Sequence, residues 1–250
     1  MQAFDPSKFT APAARPLPVI LLLDVSGSMS GAKILNLNDA VKDMLSTFCD
    51  TENSETEIHV AIITFGSEVK LHQPLTSSSK ISWHDLSASG GTPLGTALKM
   101  AKAMIEDKSV IPSRAYRPTV VLVSDGRPND DWRQPLEDFI KDGRSAKCDR
   151  MAMAIGADAD EGVLGKFIEG TQNRLFYAEN AKQLREFFTF VTMSVTIRSQ
   201  SKDKNVVPDP SAIEVKPATI EARAERSQKP SPTKRSDDPV SDKESEGGYW

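Results

Sequence analysis

The chain lacks the features that several protein classes require. Its 250 residues include two cysteines and three histidines, and the formal net charge is −4. Two cysteines, neither in a Cys-x-x-Cys pair, do not make a disulfide framework, so we expect two reduced and mostly buried thiols. A negative net charge gives no sign of the basic face that nucleic-acid binding usually needs. We therefore expect no nucleic-acid partner.

Long apolar runs are also missing. No segment approaches the roughly 18 apolar residues that a membrane-spanning helix needs. The run at residues 17–23 is interrupted by Asp24, and Asp5 and Lys8 are untypical of a secretory leader. The sequence therefore predicts a cytoplasmic protein with no membrane partner.

Short apolar runs alternate with amphipathic stretches along most of the chain. The predicted strands are 17–24, 58–65, 119–123, 148–155 and 174–177, with a short antiparallel edge strand at 69–75 that Pro74 ends. The predicted helices are 32–49, one capped by Thr92 with Pro93 as its first residue, 135–146, 161–169 and 180–195. This alternation predicts an α/β fold with a mostly parallel central sheet and helices on both faces.

The composition changes at both ends of the chain. Residues 1–16 hold three prolines and several small residues, and they are predicted to form a flexible N-terminal arm. Residues 198–250 are rich in Ser, Lys, Asp, Glu and Pro, and they are predicted to form a disordered polar tail because they have little apolar surface to bury. Serines in this tail are candidate phosphorylation sites, and Tyr249 and Trp250 are candidate docking anchors. The predicted folded domain is 17–197.

Oxygen-bearing side chains follow the ends of the predicted strands. Asp24, Ser26 and Ser28 come directly after the first strand, Thr92 precedes a helix, and Asp125 follows another strand. Ligands of parallel sheets bind outside the carboxyl ends of the strands, so these segments can meet at one edge. Carboxylates and hydroxyls suit a hard divalent cation such as Mg²⁺.

Each of these residues also has a purely structural explanation. Ser26 and Ser28 could satisfy a turn, Thr92 could be only a helix cap, and Asp125 with Gly126 could be only a turn. Their joint occurrence at matching places in the alternation of strands and helices favours the metal site.

The segments DVSGSMS, SGGTP and VSDGRP closely resemble the metal-ion-dependent adhesion site of von Willebrand factor A domains. The resemblance implies a Rossmann-like sheet with one antiparallel edge strand. It also implies Mg²⁺ or Mn²⁺, with Ser26, Ser28 and Thr92 as direct ligands and with Asp24 and Asp125 binding directly or through water. An Asp or Glu of a partner protein would complete the coordination.

Within that family, the chain is most similar to bacterial intracellular TerY-like proteins of tellurium-resistance clusters. That likeness implies a stress-response system with a Ser/Thr kinase and a PP2C-type phosphatase. The alternative is a magnesium-dependent phosphoryl-transfer enzyme, since haloacid-dehalogenase phosphatases also end a strand in an aspartate. Those enzymes place a second acid two residues later, where this chain has Ser26, and no GxxxxGK[ST] loop is present. The sequence therefore predicts a metal-dependent protein-interaction module rather than an enzyme.

Overall fold

The apolar runs of the sequence form the strands of one central sheet. In this computed structural model, which describes residues 14–51 and 56–220, the strands are β1 (Arg15–Asp24), β2 (Thr56–Phe65), β3 (Val69–Ser77), β4 (Thr119–Ser124), β5 (Asp149–Ile155) and β6 (Phe176–Ala178). Their spatial order is β3-β2-β1-β4-β5-β6. The edge strand β3 runs antiparallel to β2, and the other pairings are parallel. The predicted mostly parallel sheet with one antiparallel edge strand is confirmed.

Helices cover both faces of this sheet. They are α1 (Ala32–Thr51), α2 (Leu94–Glu106), α3 (Arg133–Lys141), α4 (Glu161–Phe167) and α5 (Ala181–Gln200). Successive strand residues point to opposite faces, so β1 contributes to two cores. Leu21 and Leu23 pack with α1 and α5, whereas Ile20 and Leu22 pack with α2, α3 and α4. Burial on both faces explains why β1 is continuously apolar rather than alternating.

The strand order reverses at β1. From β1 the chain continues to β2 on one side, and it returns later to form β4 on the other side. The side chains that follow β1 and β4 therefore flank a crevice at the carboxyl edge of the sheet. Asp24 is the last residue of β1, and Asp125 comes directly after β4. The topology thus brings two carboxylates that are far apart in sequence to the same edge.

The edge strand is longer than predicted. Pro74 was expected to end it, but β3 continues to Ser77. The pairing with β2 shifts in register between Val60 and Ile62, whose partners are Thr76 and Gln73. Proline has no amide hydrogen to donate, and an edge strand with an irregular register tolerates that loss. The prediction was wrong because a strand with one neighbour does not need every amide.

The third predicted helix is shorter than expected. It was predicted over 135–146, but α3 ends at Lys141 and a separate 3-10 turn follows at Ser145–Lys147. Gly143 adopts a positive φ of 72°, which ends the helix as glycine commonly does just beyond a C-terminus.

The C-terminal end of the fold lies beyond the predicted boundary. Residues 198–220 were predicted to belong to a disordered tail, but α5 continues to Gln200 and the described chain after it packs on the domain. The fully buried Arg198 donates hydrogen bonds to Thr119 Oγ1 at 2.7 Å and to the carbonyl oxygens of Arg117 and Lys204 at 2.6 and 3.0 Å. One arginine thereby holds the segment to the start of β4.

Apolar and backbone contacts continue this attachment. Ile213 is almost fully buried in the core that contains α1 and α5. Tyr177 donates its backbone N–H to Ala218 at 2.8 Å, and Phe176 pairs with Thr219 in an isolated antiparallel bridge. Composition missed this segment because a few anchors hold it, and a few anchors hardly change an average over fifty residues.

Several predictions concern residues outside the described ranges. The structure does not describe residues 1–13, 52–55 and 221–250. Most of the predicted N-terminal arm, most of the predicted polar tail and the two terminal aromatic residues therefore lie outside the described residues. Arg15 and Pro16, which were predicted in the N-terminal arm, instead belong to β1. Among the helices of the described residues, none combines the length and the apolar character needed to cross a bilayer.

The two cysteines differ in exposure. Both are free thiols, as predicted, but Cys49 is exposed whereas Cys148 is buried. Cys49 lies in the last turn of α1, next to the buried Phe48, and its side chain is exposed to solvent. Burial raises the pKa of the Cys148 thiol to about 12.

Candidate metal site

The turn after β1 holds a fully buried carboxylate in a fixed orientation. Asp24 Oδ1 accepts the backbone N–H of Ser26 at 2.8 Å, and Oδ2 accepts the hydroxyl of Ser124 at 2.6 Å. The chain then makes a 3-10 turn at Gly27–Met29, which brings Ser28 back beside Ser26. The Oγ atoms of these two serines lie 2.9 Å apart. The predicted Asp-x-Ser-x-Ser stretch therefore forms one compact group of oxygens.

Asp125 joins this group from the neighbouring strand β4. Its side chain is fully buried, and Oδ1 accepts the hydroxyl of Ser28 at 2.7 Å. Its other oxygen, Oδ2, pairs with the ammonium group of Lys33 in α1. The hydrogen-bonded cluster thus crosses the point where the strand order reverses.

The loop before α2 places Thr92 at the same spot. The backbone N–H of Gly27 donates to the carbonyl oxygen of Gly90 at 2.9 Å, which fastens this loop to the turn after β1. A Cβ atom on Gly126 would lie 3.4 Å from Thr92 Oγ1 and 3.8 Å from Ser28 Oγ. Both hydroxyls therefore border the same small space beside Gly126, and Thr92 itself is buried.

Thr92 does not cap the helix that follows it. The sequence predicted Thr92 as the N-cap and Pro93 as the first helical residue, but Pro93 itself occupies the cap position and makes no side-chain cap bond. The first free amides, those of Gly95 and Thr96, donate to the carboxylate of Asp130 at 2.9 and 2.8 Å. The structural explanation for Thr92 is therefore wrong. Asp130 was missed because nothing near α2 in sequence points to it.

The electrostatics of the cluster favour a cation. Burial raises the pKa of Asp24, hydrogen bonds from Ser124 and Ser26 oppose that rise, and the nearby charge of Asp125 adds to it. Two buried carboxylates stand beside one ammonium group, that of Lys33, so one negative charge is left uncompensated at this edge. The donors are all oxygen atoms, and this donor set fits a hard divalent cation.

Hydroxyls are essential to any metal binding here. Across the two described ranges, no group of three or more His, Cys, Asp or Glu side chains could hold a metal ion. A site at this edge would combine the two carboxylates with the hydroxyls of Ser26, Ser28 and Thr92. Sequence reasoning missed two further members, Ser124 and Lys33. Ser124 had a usable signal, because it ends a buried strand next to Asp125.

Known sequences resemble most of this chain. The von Willebrand factor type A domain profile matches residues 19–190. The 60 kDa subunit of magnesium chelatase from Rhodobacter capsulatus is 34% identical over 115 residues, which cover 44% of this chain and 19% of that protein. The chain spans about a fifth of the length of the curated relatives it matches.

Solved structures share the fold. A von Willebrand factor type A protein from Catenulispora acidiphila aligns with a TM-score of 0.54 at 20% identity, over 73% of this chain and 43% of that one. Proximal thread matrix protein 1 from the mussel byssus, described with a zinc-occupied adhesion-site motif, aligns with a TM-score of 0.51 at 16% identity, over 72% of this chain and 48% of that one. Since the family profile covers well over half of the sequence, the protein belongs to the von Willebrand factor type A domain family.

Proposed function

We propose that the protein is a metal-dependent protein-binding module whose divalent cation, Mg²⁺ or Mn²⁺, is held by Asp24, Ser26, Ser28, Thr92 and Asp125. The proposal rests on one observation: these residues come from three separate segments and converge on one edge. The hydrogen bonds that link Ser26, Ser28 and Asp125 at 2.9 and 2.7 Å carry the argument. The mussel structure with a zinc-occupied motif lends support from the same fold.

The chain's own residues keep the oxygens ready for a cation. Ser124 and the amide of Ser26 fix both oxygens of Asp24, so little side-chain freedom is lost on binding. Burial of both carboxylates keeps water from screening their charge. When bound, the cation would offer a coordination position to a carboxylate oxygen of an Asp or Glu on the partner protein.

We assign no catalytic residue. A phosphoryl-transfer enzyme of the haloacid-dehalogenase type needs an acid two residues after the first aspartate, and here that residue is Ser26, hydrogen-bonded to Ser28. The arrangement therefore favours holding a partner over transforming a substrate.

The finer biological setting is part of the same proposal. The motifs favour a cytoplasmic, TerY-like role in a tellurium-resistance-type stress system, with a Ser/Thr kinase and a PP2C-type phosphatase as partners and with phosphorylation in the tail. Co-purification of a kinase or phosphatase in Mg²⁺ but not in EDTA, identified by mass spectrometry, would support this setting. If neither a kinase nor a phosphatase is recovered in either condition, this setting is contradicted.

The metal step has a direct test. Titration of MnCl₂ or MgCl₂ into the full chain should show saturable binding by calorimetry, and EDTA should abolish capture of the partner. Asp24→Ala and Thr92→Ala should remove both effects while the far-ultraviolet circular dichroism spectrum stays unchanged. Thr47→Ala is the matched control, because Thr47 is an exposed threonine on α1 outside the cluster. Partner capture that persists in EDTA would overturn the proposal.

A further inference from the structure

Lys33 is the one cationic side chain that contacts the cluster within the described residues, and its placement is unusual. It is the second residue of α1, where a positive charge opposes the helix dipole. Its ammonium group lies 2.5 Å from Asp125 Oδ2, and the Lys33 side chain is 36% exposed whereas that of Asp125 is fully buried. The favourable electrostatic partner of Lys33 is therefore the buried Asp125 and not its own helix.

The surroundings leave room for this lysine to stay or to move away. The end of the Lys33 side chain lies beside Gly156, the residue that follows β5, where an added Cβ atom would be 3.8 Å from Nζ, an ordinary contact distance. The Lys33 side chain is partly exposed, so its ammonium group can move from Asp125 into solvent when another cation takes its place. Ser28 holds the other oxygen of Asp125 and stays in place meanwhile.

The charges then define what Lys33 does. Asp24 and Asp125 carry two negative charges, which a divalent ion alone would balance. The ammonium neutralises one of them and repels a second cation at close range. We propose that Lys33 competes with the divalent ion for Asp125 and thereby weakens metal binding, an inference that rests on the proposed metal-binding function.

Calorimetric titration of the full chain with MnCl₂ tests this competition. Lys33→Met should bind Mn²⁺ about tenfold more tightly than the wild type, an effect between those of exposed and buried ion pairs. Lys33→Arg keeps the charge and should bind like the wild type. Lys42→Met is the matched control, since it removes an exposed lysine from the same helix and changes the net charge equally; its affinity should not change.

The outcomes separate this inference from the proposed function. If the wild type binds Mn²⁺ and Lys33→Met binds it equally or more weakly, the proposed competition is wrong and the proposed metal site is unaffected. Equal tightening in Lys42→Met also overturns it, because net charge would then explain the effect. If neither the wild type nor Lys33→Met binds Mn²⁺ or Mg²⁺ detectably, both the metal site and the competition are refuted. If Lys33→Met does not fold by circular dichroism, Lys33→Gln replaces it under the same criteria.

Discussion

The buried Arg198 should be one of the residues on which the stability of the domain depends most. Its guanidinium donates to Thr119 Oγ1 and to two backbone carbonyl oxygens, and its charge interacts with that of the buried Asp149. Burial lowers the pKa of Arg198 to about 10, so the side chain remains charged at neutral pH. Burial also raises the pKa of Asp149, and the charge of Arg198 is the largest influence that opposes this rise. Each charge therefore makes the burial of the other tolerable.

Arg198→Met removes the charge and keeps most of the apolar volume. The substitution leaves the Thr119 hydroxyl and the carbonyl oxygens of Arg117 and Lys204 without this donor. A buried polar group that loses its partner costs about 1–3 kcal/mol, so the three together should cost about 3–5 kcal/mol. A domain of this size loses about 3 °C in melting temperature per kcal/mol, so we expect a decrease of about 10 °C. Adding Asp149→Asn to Arg198→Met should recover part of this loss, since the uncompensated carboxylate is then removed.

Thermal unfolding of the full chain, followed by circular dichroism at pH 7, measures this effect. Lys202→Met is the control, because Lys202 is exposed in the same segment, and it should melt like the wild type. Chains ending at residue 220 should also melt like the full chain, whereas chains ending at residue 197 should be strongly destabilised. A melting temperature of Arg198→Met within about 2 °C of the wild type would refute the argument, because the buried hydrogen bonds of Arg198 would then contribute less than about 1 kcal/mol.

Four further predictions have clear expected outcomes. Asp130→Ala removes the cap of α2 and should lower stability by about 1 kcal/mol in urea unfolding, whereas Asp131→Ala, an exposed neighbour, should not. Native protein should react with one equivalent of a thiol reagent at Cys49, because Cys148 is buried; two equivalents would contradict its burial. The Cys148 pKa is raised from 9.0 to about 12, so unfolding releases a proton above pH 9, and stability should fall between pH 9 and 12 more steeply than in Cys148→Ala. Ser124→Ala removes the donor to the buried carboxylate that ends β1 and should weaken Mn²⁺ binding in calorimetry, and unchanged affinity would show that this hydrogen bond does not position the ligand.

The sequence by itself determined the sheet and the candidate ligands. Runs such as 17–24 and 119–123 are apolar on both faces, and this pattern is typical of parallel strands under two layers of helices. Asp24 and Asp125 are recognisable because they stand where such runs stop. These signals are local in sequence. The spacing of apolar residues and the local composition can reveal such a local pattern of burial.

Only the tertiary structure decided which residues, distant in sequence, supply the hydrogen bonds and charge partners of these strands and helices. Asp130 caps amides 35 and 34 positions away, Lys33 reaches Asp125 across 92 positions, and Arg198 reaches Thr119 across 79. Such pairs leave no periodic signal, because folding alone brings them together. The same reason explains why the sequence did not predict that the domain continues past residue 197. The buried Arg198 and Ile213, together with backbone contacts to β6, hold a segment whose average composition is that of an unfolded chain.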